Sequence, residues 1–159
     1  MTTRALFADD EWNLIVRLPR WVVAAASAAQ HDVAYRTNIE VEVGLIASAD
    51  GRSLGSPFVT EVADQTLRVF DMKGALEGID LSDREAGIAA VIEHARRANQ
   101  ILLAKAERAD LLAYRAWLLK ITNVVIKAAR SGDFLGIGGK RVTAAEHEFR
   151  DQLELALHD

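Results

Sequence analysis

The feature that most constrains this chain is the stretch from Trp21 to Ala29, WVVAAASAA, where Ser27 is the one polar side chain. A helix with no polar face is a buried helix, so the rest of the chain has to wrap around it. Pro19 stands two residues upstream. It removes a backbone donor, and it either kinks one long helix or opens a second one at its first turn. Before it, Asp9, Asp10 and Glu11 lead into Trp12-Asn13-Leu14-Ile15-Val16, which places negative charge where a helix N-terminus favours it. The same acidic residues argue against a secretory leader, whose apolar run follows basic residues. No apolar run approaches the roughly 20 residues of a membrane-spanning helix. The expectation is a cytoplasmic protein with no membrane association.

A second apolar stretch carries Leu111, Leu112, Tyr114, Trp117, Leu118, Leu119, Ile121, Val124, Val125 and Ile126. It leaves only a narrow polar strip of Lys120, Asn123, Lys127 and Arg130, and Ser131-Gly132-Asp133 ends it. Between the two apolar stretches, Ser56-Pro57 has the form of an N-cap followed by a first-turn proline. The helix it opens runs to about Phe70 and presents Val59, Val62, Ala63, Thr66, Leu67 and Phe70 at helical spacing. Gly74 and Gly78 flank a short connection. Ser82-Asp83-Arg84-Glu85 reads as a capping box, ahead of a long helix bearing Ile88, Val91, Ile92, Ala95, Leu102 and Ala106. On its outer side Glu93 and Arg97 are spaced as an ion pair. The chain turns between Lys105 and Asp110. Thr143-Ala144-Ala145-Glu146 reads as a second capping box, and the last helix presents Phe149, Leu153, Ala156 and Leu157.

Residues 36–50 support two patterns. Ile39, Val41, Val43 and Leu45 alternate as in a strand, whereas Ile39, Val43, Ile46 and Ala47 share one face of a helix. The strand's one available partner, Phe58 to Val62, runs on into a helical sequence. A helix pair is therefore preferred over a strand hairpin across 38–62. The expected fold is all-α: a single domain over 1–159, an orthogonal or bundle-like array of five to seven helices. The helices near 19–29 and 110–130 lie at its centre. A chain of 159 residues buries roughly 70% of its unfolded surface, enough for one core.

Composition narrows the function classes. With no cysteine there is no disulfide scaffold and no thiolate-held metal or cluster, and a net charge of −4 gives no reason to expect a nucleic-acid partner. The segment Phe134-Leu135-Gly136-Ile137-Gly138-Gly139-Lys140-Arg141 carries the ingredients of an anion site, with Gly138, Gly139, Lys140 and Arg141 as the candidate ligands. A phosphate-binding P-loop would need glycine where Phe134 stands and serine or threonine where Arg141 stands. The other reading is a glycine-rich turn that folds Phe134, Leu135 and Ile137 onto the core. His147 and Asp151 stand four apart beside Glu148, without the Glu-x-x-His pattern of diiron bundles at any of the four histidines. No metal, no other cofactor and no catalytic residue is expected, since no nucleophile motif or triad is visible. Lys120, Lys127 and Arg130, continued by Lys140 and Arg141, form a basic strip expected to pair with the acidic C-terminal helix of the same chain.

YRAWLLKITNVVIKAA followed by FLGIGGKRVTAAEHEFRDQL resembles the ending of a group of bacterial helical proteins without an assigned activity. In that group a Trp-Leu-bearing helix precedes a Phe-Leu-Gly-x-Gly-Gly turn. The Asp-Glu-Trp opening and the proline before an alanine-rich helix are similar too. More loosely, Ile46 to Gly51, a helix followed by Ala-Asp-Gly, resembles the TerB-like fold associated with tellurite resistance. TerB-like proteins carry acidic residues after the Asp-Gly, where this chain has Arg52-Ser53-Leu54-Gly55. The resemblance therefore implies a helical fold and no metal site. The functional expectation is a non-enzymatic helical protein acting by self-association or protein–protein interaction, with Trp12, Trp21 and Trp117 as candidate interface residues. The alternative is a small-molecule or anion-binding protein of TerB-like stress-response type, using the 134–141 loop and the interhelical core.

Overall fold

Pro19 bends no chain reversal into this protein. In the computed structural model, which describes residues 1–29, 43–70, 74, 76–131 and 144–159, the first helix α1 runs through it from Asp9 to Ala28. The missing N–H of Pro19 leaves the Ile15 carbonyl, four residues earlier, without its helical donor. The Tyr114 hydroxyl donates to that carbonyl at 2.8 Å, and the Thr66 hydroxyl donates to the adjacent Val16 carbonyl at 2.8 Å. Buried backbone acceptors need partners, and here two neighbouring helices supply them. At the other end of α1, the Ala8 N–H donates to Glu11 Oε2 at 2.8 Å. The Lys105 ammonium, 2.6 Å from the same carboxylate, and this amide hold the Glu11 carboxyl below its ordinary range.

Five further helices follow: α2, described over 43–49; α3, Pro57–Phe70; α4, Arg84–Lys105; α5, Arg108–Ser131; and α6, Ala144–Ala156. Short 3-10 turns lie at Arg4–Leu6 and Asp50–Ser53. Among the described residues there is no strand. Phe58–Val62, the partner that a hairpin would require, belongs to α3, and 43–49 is helical, so the helical preference holds there. Ile39 and Val41 lie outside the described residues.

The central helix is α1. It packs against α3, α4 and α5, while α6 closes over α4 and α5. Val22, Val23, Ala25 and Ala26 of the all-apolar stretch are fully buried, and so are Trp117, Leu118, Ile121 and Val125 of α5. A run of rings, Phe7, Trp12, Phe58, Tyr114 and Trp117, joins the N-terminal turn, α1, α3 and α5, with successive centroids about 6 Å apart. Gly51 makes this packing possible. A β-carbon there would lie 2.6 Å from the Trp117 ring, whose N–H reaches the Ala47 carbonyl at 3.3 Å. Among the described residues no helix is long and apolar enough to cross a membrane.

Helix ends follow the sequence with one correction. Ser56 caps α3 as expected, its Oγ accepting the Val59 N–H at 3.1 Å, with Pro57 in the first turn. The cap of α4 is Asp83 rather than Ser82: its carboxylate accepts the Ala86 N–H at 3.1 Å. The Ser82 hydroxyl instead donates to Asp80 at 2.6 Å. Shifting the cap one residue later lets the preceding loop lie on α4 at Gly87, where a β-carbon would sit 2.4 Å from the Asp80 carbonyl oxygen. Gly74 and Gly78 both take positive φ, as a tight connection between α3 and α4 demands. Thr143, the other expected cap, lies outside the described residues.

Candidate functional site

The expected ion pairs re-sort once the helices pack. Glu93 pairs with Arg96 at 2.5 Å, one residue short of Arg97, which instead approaches Asp10 of α1 at 3.9 Å. Lys120 of the basic strip pairs with Asp50 at 3.0 Å, not with the acidic last helix. The α2–α3 connection crosses α5 at that level, so the nearest carboxylate comes from it. The side chain of Arg130, together with Gly138, Gly139, Lys140 and Arg141, lies outside the described residues. The three tryptophans form no exposed surface: Trp12, Trp21 and Trp117 are 7%, 5% and 0% exposed. Most of the large apolar side chains described lie in the core, while Ile46, Leu103, Leu112 and Leu155 are exposed.

Two arrangements remain to be weighed as sites. The first is the buried carboxylate of Asp110, in the first turn of α5. Its Oδ1 accepts the Ser56 hydroxyl at 2.7 Å, and its Oδ2 accepts the Thr2 N–H at 3.3 Å. The Thr2 hydroxyl in turn accepts the Glu107 N–H at 2.9 Å, capping α5 from a distant part of the chain. Burial raises the Asp110 pKa, but the Ser56 and Thr2 hydrogen bonds and the N-terminal ammonium outweigh it and hold the carboxyl below its ordinary value. A carboxylate with both oxygens engaged by its own fold is a junction between helix starts.

The second arrangement is open. Between the N-terminal half of α4, the start of α6 and the end of α1 lies a groove of about 340 Å³. Its lining combines the apolar Ala29, Ile88, Ala89, Ala145 and Phe149 with Arg84, Glu85, Glu148 and Gln152. Three of its lining residues, Ala29, Ala89 and Ala145, are alanines, which occupy little of the space between the helices. A second pocket lies against the outer face of α6, bordered by Ala144, His147, Asp151 and Leu155, and it shares Glu148 and Gln152 with the groove. Leu155 is 61% exposed there. The helix α6 is thus buried on one face through Phe149, Leu153, Ala156 and Leu157, with the groove along one side of that face and the second pocket on its outer surface.

His147, Glu148 and Asp151 share that outer flank. Among the described residues, however, no group of three histidine or carboxylate side chains is arranged to hold a metal ion. Sequence reasoning missed the groove, although alanines at 29, 89 and 145 were the available signal. Compared with known proteins, the chain matches no family model, no curated protein and no solved structure.

Proposed function

We propose that this chain is a non-catalytic binding module that works by protein–protein association through the edge formed by α4 and α6. The observation that carries this reading is the groove itself. Its lining mixes apolar with charged and amide side chains, the composition of an interface patch, and it shares Glu148 and Gln152 with a second pocket that reaches the exposed Leu155. The buried carboxylate of Asp110 is engaged by Ser56 and Thr2, which supports a structural role for it.

The test uses two exposed positions, so that folding is not the variable. Ala89→Gln obstructs the groove, and Leu155→Asp places a charge on the flank beyond α6. Cross-linking mass spectrometry on the full chain in its own cells, wild type against the double variant, is expected to give cross-links from α4 and α6 to another protein chain or a second copy. Those cross-links disappear in the double variant. Cross-links unchanged by the two substitutions overturn the reading.

The groove volume favours a second reading, since about 340 Å³ falls in the range of small-molecule sites. A small amphiphile bound there raises the melting temperature of the wild type and not of Ala89→Gln. A ligand screen with no such difference excludes it.

A further inference from the structure

Arg17, Arg52 and Arg96 are each paired with a carboxylate of the same chain, Glu77, Asp64 and Glu93. Arg115, on α5, is held differently. Its Nε and Nη2 donate to Oδ1 of Asn99 on α4 at 2.9 and 2.7 Å, so a neutral amide takes one edge of the guanidinium. Asn99 is 1% exposed, and its Nδ2 finds no acceptor among the described residues. A buried amide with an unpaired donor costs stability, and what it secures here is the orientation of one cation. Among the described residues no carboxylate pairs with Arg115, and partial burial disfavours its charge and lowers its pKa. Asn99 uses two of its five N–H groups. The opposite edge, Nη1 with the second hydrogen of Nη2, presents two parallel donors, the fork that fits a carboxylate.

The surroundings are apolar. Leu103 lies one turn beyond Asn99 on α4 and Leu112 one turn before Arg115 on α5, and they are 52% and 46% exposed. Only residues 106 and 107 separate α4 from α5, and the helices meet at 99 and 115, so the two leucines stand at one level of the hairpin. The place is far from the described ends of α1 and α5. Arg115 precedes Ser131 by about 24 Å of helix, and the neighbouring Tyr114 meets α1 at Ile15, well before Ala29. Leucines on two helices flanking a cation on open surface suit a chain laid across the hairpin better than a small anion. We infer that this surface docks an acidic segment of a partner protein, whose carboxylate takes the outer edge of Arg115 while an adjacent apolar side chain covers Leu103 and Leu112. It is a contact separate from the α4–α6 groove and does not rest on it.

Fluorescence anisotropy on the full chain tests this with two labelled synthetic helical peptides, a leucine–glutamate sequence and the same sequence with glutamine for each glutamate. The glutamate peptide is expected to bind about tenfold more tightly. Arg115→Gln is expected to lose that preference, and so is Asn99→Asp, which leaves the guanidinium in place and answers its charge from within. Arg115→Lys keeps the charge without the fork and retains only part of the affinity. In the wild type the glutamate peptide shifts the Arg115 Nε–H resonance in a nitrogen–proton spectrum. Equal binding of the two peptides, a preference that survives Arg115→Gln, or an unmoved Nε–H resonance overturns the inference. Octanoate that shifts this resonance as far as the peptide does, at equal concentration, makes the ligand a small amphiphile and overturns the partner assignment. If Ala89→Gln abolishes peptide binding and Arg115→Gln does not, the peptide sits in the α4–α6 groove: the association reading stands and this inference falls. If neither peptide binds, this inference falls, and the cross-linking experiment decides the association reading by itself.

Discussion

The interior around Pro19 and the edge between α4 and α6 are both places where regular packing is interrupted, and they end in opposite states. At Pro19 a helix loses one donor, and α5 and α3 each lend a hydroxyl: Tyr114 to the Ile15 carbonyl and Thr66 to the Val16 carbonyl. At the α4–α6 edge three alanines leave room and nothing in the described fold enters it. A vacancy in backbone hydrogen bonding is costly wherever it is buried, so the fold fills it from within. A vacancy in side-chain volume at the surface costs little when water occupies it. It can therefore persist until a partner covers it.

If that contrast is right, substitutions in the interior act on stability and those at the edge act on binding. The largest expected effect is Trp117→Ala, which removes a fully buried ring and its bond to Ala47. About 3–5 kcal/mol is expected, read from urea unfolding. Tyr114→Phe keeps the ring and orphans the Ile15 carbonyl, which should cost about 1–3 kcal/mol. Adding Pro19→Ala restores an N–H to that carbonyl, so part of the Tyr114→Phe loss should return. Strict additivity in this cycle would contradict the proposed division of labour.

The Asp110 junction gives an effect in pH. Its carboxyl is held below the ordinary value of 3.8, so the folded state binds its proton less readily than the unfolded chain. Its contribution is fully present above that value and fades as pH falls through the lower folded pKa. Wild-type unfolding followed from neutral to strongly acid pH should therefore show an acid loss that Asp110→Asn flattens. The smallest effects on stability belong to Ala89→Gln and Leu155→Asp, each within about 0.5 kcal/mol of wild type.

What could be read from the sequence depended on distance along the chain. Ser56-Pro57 and the buried face of α6 are written in adjacent or helically spaced residues, and they emerge as expected. The two central helices were legible because a stretch with no polar face has one physical destination. By contrast, Thr2, Ser56 and Asp110 meet through separations of 54 and 108 residues, and no local pattern announces such a meeting. The tryptophans were open to either an interface or a core until packing placed them inside. The pairings of Arg97 and Lys120 went to Asp10 and Asp50, because tertiary neighbours lay closer than the partners expected from helix spacing or net charge. The groove escaped for the opposite reason. It is made by what alanines lack, and an absence of volume becomes visible only when the facing helices are in place.

The most direct measurement pairs stability with association in one variant. The Ala89→Gln/Leu155→Asp chain is unfolded in urea and, in parallel, examined by cross-linking beside the wild type. The expected result is an unchanged unfolding midpoint together with lost cross-links from α4 and α6. A lowered midpoint would make the edge part of the core, and cross-links that persist in a stably folded variant would place association elsewhere on the molecule.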